Sequence, residues 1–160
     1  TGGNFEIKDI GIHPIGVSHD AMEPVGYVIY YKKKKLSIIT DTGWINENVR
    51  NEIKDSNLYF IESNHDIRML RDGSYPWNLK KRIMSTHGHL SNEDAGNLMS
   101  DLLGGRGEIV LLAHLSQDNN IPELAYNTVR DIIISQGIDV DNDVILNMSH
   151  RDKATCLYIL

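Results

Sequence analysis

Residues 36–66 read LSIITDTGWINENVRNEIKDSNLYFIESNHD, and this stretch decides the fold class. It opens with a short apolar run of the kind that forms strands. After the Asp-Thr-Gly turn the period changes, because Ile45, Val49 and Ile53 are four residues apart and would share one face of a helix. Leu58 to Ile61 is then a compact buried-type strand that ends in an entirely polar run. The stretch therefore predicts a strand, a helix and a second strand in succession, as in an α/β fold.

Upstream of residue 41, three segments are typical of strands because they are rich in β-branched and aromatic residues. They are Phe5 to Val17, Val25 to Tyr31 and Leu36 to Thr40. The four lysines Lys32 to Lys35 lie between the last two segments and are predicted to form the tip of a hairpin. A solvated turn that keeps a sheet edge soluble is their main interpretation, and a contact with nucleic acid is the alternative.

Two helices are predicted downstream of the polar run. Pro76 suits the first turn of one of them, and the basic cluster Lys80 to Arg82 is predicted on its outer face. Leu79 and Ile83 would form the inner face, and a solvated outer face is the simpler interpretation of the basic cluster. The second helix begins at Ser91-Asn92-Glu93-Asp94, which has the capping-box form in its acidic variant.

The last third of the chain is predicted to continue with strand, helix and strand. Glu108 to Ala113 is typical of a buried strand, and a long helix opens at Asn120 and Pro122. Val144 to Met148 and Thr155 to Leu160 are predicted as two strands joined by a charged turn. The chain contains no repeat, linker or low-complexity stretch. Residues 1–160 are therefore predicted to form a single unit of the α/β (α+β) class.

Composition limits the classes of function. The 160 residues are 41% hydrophobic and 24% charged, which is a normal balance for a folded soluble domain. The single cysteine, Cys156, cannot form an internal disulfide, and the absence of an export signal at Thr1 favours a reducing cytoplasm. A net charge of −6 argues against a surface that binds nucleic acid all over, so such a contact would be local or mediated by metal. Apolar runs are too short for a membrane span, and the start at Thr1 rather than methionine favours a processed or truncated product.

Polar residues of the type that bind metals follow the predicted strands at the point where each strand ends. They are His19, Asp41, Glu62, His65 and His114. In α/β folds, ligands gather at the carboxyl ends of strands, where the loops converge. Histidine and carboxylate together suit Zn²⁺ or Mn²⁺, and a carboxylate can bridge two ions about 3.5 to 4 Å apart, as in phosphodiester cleavage. Each residue alone is more often a cap or a turn former, so the prediction of a metal site depends on their order and neighbours.

Three segments resemble metal-binding motifs of the metallo-β-lactamase superfamily, in the same order. Ser18-His19-Asp20-Ala21, ahead of a Gly-Tyr strand, is similar to the third motif of its nucleases. Thr40-Asp41-Thr42-Gly43 resembles the fourth motif, whose aspartate bridges the two ions, and Ala113-His114-Leu115-Ser116 resembles the fifth, whose histidine binds the second ion. The resemblance implies that His19, Asp41 and His114 are metal ligands.

Two further stretches resemble the WalJ/YycJ group of DNA exonucleases: Glu62-Ser63-Asn64-His65-Asp66 and Gly88-His89-Leu90-Ser91-Asn92. The second is also similar to the Gly-His-Ser-Thr element of enzymes that process the 3′ end of tRNA. This implies that His89 is a catalytic residue that offsets charge on the scissile phosphate or its leaving oxygen. The alternative for His89 is a residue that merely precedes a helix cap. Glu62 and His65 are expected either to orient the ligands or to hold the loop.

The superfamily's main motif, His-x-His-x-Asp-His, does not occur in residues 1–160. The resemblance implies that this motif lies in an N-terminal half. The chain would then be the C-terminal half of an αββα metallo-β-lactamase fold, with one mixed β-sheet flanked by helices. Because a catalytic zinc takes about three protein ligands, three side chains for two ions predict weak binding by this chain alone. The other half would be removed, would be a second polypeptide, or would never have been present in a degenerate relative.

The function expected from these features is that of part of a metal-dependent hydrolase. The complete protein would be a phosphodiesterase or exonuclease that acts on DNA with two divalent ions, Zn²⁺ or Mn²⁺, and this chain alone would be inactive. Two alternatives stay open at this point. One is a hydrolase of lactams, thioesters or lactones on the same fold, and the other is a binding module that keeps the fold without metal.

Overall fold

The computed structural model describes residues 3–160 and contains a single β-sheet with helices around it. Within those residues there are seven strands: β1 (Phe5–Ile7), β2 (Ile10–Gly16), β3 (Val25–Tyr31), β4 (Lys34–Ile39), β5 (Leu58–Glu62), β6 (Glu108–Ala113) and β7 (Val144–Met148). The same residues form five helices: α1 (Glu47–Ile53), α2 (Ile67–Asp72), α3 (Trp77–Ile83), α4 (Asn92–Leu102) and α5 (Pro122–Ser135).

The order of the strands across the sheet is the same as their order along the chain. Strands β1 to β4 are antiparallel neighbours, whereas β4, β5, β6 and β7 are parallel to one another. The parallel pairs are connected through helices, as such pairs require. The predicted mixed sheet flanked by helices, of α/β (α+β) class, is therefore confirmed.

The helices form where the sequence provides caps and apolar spacing. Asn46 caps α1 by accepting the backbone N–H of Val49 at 2.9 Å, and Ser91 forms the predicted capping box with Asp94 at the start of α4. Pro122 occupies the first turn of α5, where its missing N–H has no cost. The capping box at Ser91 and the position of Pro122 were predicted from the sequence and are confirmed.

Helices α1, α4 and α5 cover one face of the sheet. Their buried residues share one core with inward-facing residues of the strands, among them Ile39, Ile61 and Leu112. Full burial of such side chains contributes about 1.5 to 3 kcal/mol each, so this layer supplies most of the stability of the described fold. The register of β4, β5 and β6 is fixed by this layer, because a slip of one residue would turn the apolar side chains to the other face.

The opposite face of the sheet is also apolar but is only partly covered. One row of directly paired residues crosses all seven strands: Phe5, Ile12, Ile29, Leu36, Leu58, Ile109 and Ile145. Leu58 and Ile109, at the centre of the row, are buried with Tyr158 packed nearby. Phe5 and Ile145, at its ends, keep 46% and 41% of their surface exposed. The residues described here do not cover this face fully.

Several predicted details are wrong. The segment Phe5 to Val17 is two strands, because a turn at Lys8, whose φ is +57°, reverses the chain between β1 and β2. Thr155 to Leu160 forms no strand, and the short helix α2 lies just after the polar run, where no helix was predicted. Lys80 is buried rather than on an outer face, and its ammonium donates to the carbonyls of Arg71 and Gly73 at 2.7 and 2.6 Å.

Strand direction brings the predicted site residues to one edge of the sheet. The carboxyl ends of β4, β5 and β6 lie at the same edge because these strands are parallel. Strand β2 also ends there, since it is antiparallel to β3, which is antiparallel to β4. Glu62 is the last residue of β5, and the segments that follow the other three strands carry His19, Asp41 and His114.

Within residues 3–160 there is no helix long and apolar enough to cross a membrane, and α5, the longest, has 14 residues.

Candidate metal centre

A pocket of about 440 Å³ opens at the edge of the sheet where β2, β4, β5 and β6 end. His19, Asp41, His89 and His114 all line it. Glu62, the last residue of β5, lies directly beneath the pocket and has no exposed surface. The three predicted ligands and the predicted catalytic histidine are therefore brought together in one cavity.

Asp41 lies between two imidazoles. Its Oδ1 atom is 3.9 Å from Nε2 of His19 and 3.7 Å from Nε2 of His114. The Nδ1 atom of His19 is 3.0 Å from the carbonyl oxygen of Gly88, to which it donates. This hydrogen bond fixes the tautomer that leaves a lone pair on Nε2, the atom that faces Asp41. Each Nε2 atom therefore lies where its imidazole and the Asp41 carboxylate can share a cation.

Glu62 connects two of the histidines. Its Oε1 atom accepts Nδ1–H of His114 at 2.6 Å and Nδ1–H of His89 at 2.7 Å. Its Oε2 atom accepts the backbone N–H groups of Thr42 at 3.0 Å and Leu90 at 3.3 Å. One buried carboxylate therefore fixes the orientation of both rings and also holds the loops that carry Asp41 and His89.

The charges in this cluster stabilise one another. Burial alone would raise the pKa of Glu62, but the hydrogen bonds from His114 and His89 outweigh it and keep the pKa below its ordinary value. The hydrogen bond to Glu62 in turn raises the pKa of His114, although burial opposes the shift. Glu62 is thus a carboxylate at neutral pH and can orient each imidazole through its Nδ1–H group.

Two of the predicted ligands have an unusual backbone conformation. Asp41 has φ of +54° and His114 has φ of +56°, in the left-handed region that residues other than glycine seldom adopt. Such a conformation costs roughly 1 kcal/mol or more and persists where the surrounding structure imposes it, often at functional sites. Both residues stand just after a strand, so the turn directs their side chains over the end of the sheet.

Gly43 allows the loop after β4 to pack tightly against the segment that carries His89. A Cβ atom on Gly43 would lie 2.2 Å from the carbonyl oxygen of Ser85 and 2.6 Å from the backbone nitrogen of Gly88. Only glycine permits this approach of two backbones. The contact sets the separation of Asp41 from Gly88, whose carbonyl orients His19.

His89 occupies the centre of the cluster. The centroid of its ring is 5.0 Å from that of His19 and 5.2 Å from that of His114. Among the described residues, two sets of side chains have ligand atoms within 4.8 Å of one another: His19, Asp41 and His89 form one, and Glu62, His89 and His114 form the other. His89 is common to both sets. Its position suits either contact with a substrate oxygen or coordination of a cation.

His65 does not line the pocket. Its side chain is 2% exposed, and its Nδ1 atom has no hydrogen-bond partner within residues 3–160. Burial lowers the pKa of His65, so the ring is neutral at physiological pH. Its backbone pairs with Ser91, and its carbonyl accepts the N–H of Asn92 at 2.9 Å. These contacts hold the loop after β5 against the start of α4.

The structure also identifies residues around the pocket that sequence reasoning missed. Arg82 forms an ion pair with Asp20, the residue after His19, and both line the pocket. Arg151 and Asp118 line it as well, and Asp118 accepts a hydrogen bond from the Tyr75 hydroxyl at 2.7 Å. Sequence spacing carries no signal for these contacts, because Arg82 and Asp20 are 62 residues apart and the Tyr75–Asp118 pair is 43 residues apart.

A buried amide network supports the floor of the site. The Ser63 hydroxyl donates to Asn92 at 2.7 Å, and Asn92 in turn donates to Asn120 at 3.0 Å. Asn120 donates to the carbonyl oxygens of Ser63 and Asn64, both at 3.0 Å. The network ties the ends of β5, α4 and α5 together, so the loops that carry the pocket residues rest on a rigid base.

No protein-family model matches the chain. The chain is 45% identical over 132 residues to the exodeoxyribonuclease YycJ of Bacillus anthracis, a match that covers 82% of the chain and 50% of that protein. It is 41% identical over 149 residues to the exodeoxyribonuclease WalJ of Streptococcus pneumoniae serotype 2, covering 93% of the chain and 55% of that protein. The chain therefore spans about half the length of the curated relatives that it matches.

The fold is similar to that of solved structures as well. The metallo-β-lactamase fold protein YhfI from Bacillus subtilis superposes with a TM-score of 0.62 at 10% identity, over 92% of this chain and 48% of that chain. At such low identity the likeness concerns the fold alone. It agrees with the mixed sheet and the flanking helices described above.

Proposed function

Because this chain has the metallo-β-lactamase fold and resembles exodeoxyribonucleases of the WalJ/YycJ type, we propose that it is the C-terminal part of a metal-dependent phosphodiesterase that acts on DNA as an exonuclease. One observation carries the proposal. The side chains of His19, Asp41 and His114 converge on one pocket with both imidazole Nε2 atoms within 4 Å of the same carboxylate oxygen. The pocket is where an activated water and a phosphodiester would meet.

The donor set fits divalent cations. In each of His19 and His114 the Nδ1 atom is hydrogen-bonded to an oxygen, which leaves Nε2 for a cation, as is usual for histidines that bind metals. Nitrogen and carboxylate donors suit Zn²⁺ or Mn²⁺. We propose that Asp41 is shared between two ions, with His19 on one and His114 on the other. When bound, the ions would lower the pKa of water, hold the phosphate and offset charge on the leaving oxygen.

The remaining ligands would come from the part of the protein that precedes this chain. Three side chains are too few for two ions, because a catalytic zinc takes about three protein ligands. The partly covered apolar face of the sheet supports the same idea, since it offers a surface on which a second sheet could pack. We therefore propose that residues 1–160 are the C-terminal half of a metallo-β-lactamase domain, and that binding of metal by this half alone is weak.

The residues of this chain would contribute more than ligands. When His89 is an imidazolium, Glu62 accepts its Nδ1–H and its Nε2–H is available to a phosphate oxygen. Negative charge builds on the non-bridging and leaving oxygens during cleavage of a phosphodiester, and an imidazolium in that position offsets it. His89 is therefore proposed as the catalytic residue that stabilises the transition state, and Glu62 as the residue that positions it.

The test uses the full-length protein that contains this chain. Metal content would be measured, together with hydrolysis of an activated phosphodiester and of linear DNA. Replacement of Asp41 by Asn is expected to abolish tight binding of one or both ions and to lower kcat about 100-fold or more, because one carboxylate serves both sites. Asp131→Asn is the matched control and should behave as the wild type, because this exposed aspartate has its neighbour Arg130 as its ion-pair partner within residues 3–160.

The same preparations separate the alternatives. Turnover of a thioester, lactone or lactam without turnover of DNA would favour the second hydrolase class. A protein that contains no metal, cleaves neither substrate and melts at a temperature independent of Zn²⁺ or Mn²⁺ would be a binding module instead. Either result would overturn the proposed nuclease function.

A further inference from the structure

Strand direction brings Arg151 to the candidate pocket. Strand β7 is parallel to β6, so both strands end at the edge of the sheet where the pocket opens. Ser149, the first residue after β7, donates its backbone N–H to the carbonyl oxygen of Leu112 at 2.8 Å and continues the pairing with the end of β6. Arg151 follows two residues later and lines the pocket together with His114.

Arg151 lies beside the proposed metal centre. The hydrogen bond to Glu62 raises the pKa of His114, and the positive charge of Arg151 opposes this shift, so the guanidinium is near the His114 ring. Arg151 and His114 also line a second cavity, of about 320 Å³, which the other residues of the candidate metal centre do not line. Arg151 therefore stands at the boundary between the two cavities, on the His114 side of the site.

The guanidinium of Arg151 is available to an anion that enters the pocket. Three carboxylates line the pocket, those of Asp20, Asp41 and Asp118. Arg82, the other arginine of the pocket, forms an ion pair with Asp20, whereas Arg151 forms no ion pair within residues 3–160. A guanidinium presents donors in a fixed plane that can bind two oxygens of one phosphate. Of the two arginines, Arg151 is therefore the one that can bind a phosphate without giving up a carboxylate.

A DNA strand brings more than one phosphate to the pocket. Successive phosphates of a strand are about 3.4 Å apart along the axis of a duplex, so a strand whose scissile phosphate lies at Asp41 has its next phosphate nearby. The proposed ions would hold the scissile phosphate, but they do not fix the direction in which the rest of the strand leaves. A cation to one side of the ions is in a position to fix that direction.

We propose that Arg151 binds the phosphate adjacent to the scissile one and thereby aligns the strand in the pocket. The inference rests on the proposed function and adds a residue that determines specificity, because this contact favours polynucleotides over compounds with a single phosphodiester. The adjacent phosphate is either the phosphate at the end of the strand or the second linkage from that end. The two have the same chemistry, and the experiment distinguishes them.

The experiment compares the full-length protein with its Arg151→Gln variant on linear oligonucleotides and on a small activated phosphodiester. Arg151→Gln is expected to lower kcat/KM on an oligonucleotide about tenfold, mainly through KM, because one charge-assisted hydrogen bond is lost in the ground state and the transition state alike. Turnover of the small phosphodiester should stay within twofold, since it has no second phosphate. For binding of the oligonucleotide by the metal-free protein, the slope of log K against log salt concentration should become shallower by about 0.7 to 0.9, the value for one phosphate contact.

Altered oligonucleotides identify the phosphate that Arg151 contacts. In one of them the end of the strand carries a hydroxyl in place of a phosphate, and in another the second linkage is an uncharged methylphosphonate. If Arg151 binds the altered group, the wild type loses about tenfold in kcat/KM on that oligonucleotide, and Arg151→Gln causes no further loss. The effect of Arg151→Gln should disappear on one of the two oligonucleotides and remain on the other.

Two further variants are the controls. Arg151→Lys keeps the positive charge but not the planar donors, so it should keep the salt slope and recover part of the loss in KM. Lys153→Gln removes a positive charge from an exposed residue of the same segment that does not line the pocket. This variant should match the wild type in both measurements.

Three outcomes would overturn the inference. The first is an unchanged kcat/KM of Arg151→Gln on oligonucleotides. The second is an equal loss on the small phosphodiester, which would place Arg151 on the scissile phosphate itself. The third is a loss that persists on both altered oligonucleotides, which would mean that Arg151 acts only through the overall charge of the surface. Failure of the wild type to cleave any phosphodiester would instead refute the proposed function, and the salt dependence of oligonucleotide binding would still decide whether Arg151 contacts a phosphate.

Discussion

Replacement of Glu62 by Gln tests whether one buried carboxylate organises the candidate metal centre. The amide is nearly the same size as the carboxylate but has only one oxygen. If that oxygen faces His89 and His114, the NH₂ group opposes the backbone N–H groups of Thr42 and Leu90, which then lose their acceptor. If the amide is reversed, its NH₂ group opposes the two Nδ1 atoms. The imidazoles would then have to change tautomer and carry a hydrogen on Nε2. On His114 this hydrogen would occupy the atom whose lone pair a cation needs.

Either orientation weakens the site, and the size of the effect follows from these contacts. Loss of the hydrogen-bond partner of a metal-binding histidine usually lowers metal affinity about 10- to 100-fold, which is about 1.4 to 2.8 kcal/mol. Buried backbone N–H groups that are left without an acceptor also lower the free energy of unfolding by about 1 to 3 kcal/mol. We therefore expect Glu62→Gln to bind Zn²⁺ or Mn²⁺ at least tenfold more weakly and to be less stable than the wild type without metal.

The assay is titration of the metal-free full-length protein against a chromophoric chelator, together with denaturant unfolding. Glu108→Gln is the matched control. Glu108 is also a buried carboxylate, 4% exposed, that accepts backbone N–H groups, from Gly104 at 2.9 Å and Arg106 at 2.6 Å, but it lies at the start of β6, away from the pocket. It should lose comparable stability and no metal affinity. Metal affinity within twofold of the wild type in Glu62→Gln, or an equal loss of affinity in both variants, would show that Glu62 does not organise the metal centre.

Three further predictions concern single positions. His89→Ala should lower kcat on a phosphodiester about 100- to 10,000-fold, while its metal affinity changes less than threefold. If the variant loses a metal ion instead, His89 is a metal ligand. Gly43→Ala should lower the free energy of unfolding by about 3 kcal/mol because its Cβ would overlap the Ser85 carbonyl. Gly11→Ala is the control, because its Cβ would have no contact closer than 3.8 Å, and it should change the free energy of unfolding by less than about 1 kcal/mol. Equal effects of the two substitutions would contradict the prediction. Burial raises the pKa of Tyr59 from 10.0 to about 12, so the neutral hydroxyl contributes stability that is present below pH 10 and is lost as pH rises towards 12, about 3 kcal/mol in all. Tyr59→Phe should lack this part of the alkaline loss in denaturant unfolding, and an unchanged pH profile would count against the shift.

The class of fold could be predicted from the sequence because the buried strands and helices carry clear periodicity. The helix-facing layer requires apolar residues at alternate strand positions and at helical spacing, as in Ile45, Val49 and Ile53. These patterns arise from burial and are visible in the sequence itself. The capping box at Ser91 is equally local, because both of its hydrogen bonds lie within four residues.

The errors have a common physical cause, which is that the residues of a segment do not reveal the partners it packs against. Phe5 to Val17 alternates loosely on both sides of Lys8-Asp9, where a turn divides it into two antiparallel strands. Thr155 to Leu160 is rich in apolar residues, but it pairs with no strand of residues 3–160. Lysine is a residue type that usually lies on the surface. The burial of Lys80 is explained by two carbonyl oxygens at the end of α2 that accept hydrogen bonds from its ammonium.

The candidate site could be predicted in part. The convergence of His19, Asp41 and His114 follows from strand direction, since residues after parallel strands meet at one edge. The central contacts of Glu62 could not be predicted, because its partners His89 and His114 are 27 and 52 residues away in the chain. Contacts at such separations depend on tertiary packing, which periodicity does not encode.

The strictly sequential arrangement of β1 to β7 has a consequence for how the sheet is built during synthesis. Each strand leaves the ribosome after the neighbour on which it docks, so no gap has to be kept open for a segment that emerges later. Sheets of this kind can grow by adding one edge at a time, and each addition closes only a modest loop. The last strand to join is β7, and the pocket residues His19, Asp41, Glu62 and His114 have all emerged before it. The floor of the pocket can therefore be assembled while the chain is still being translated.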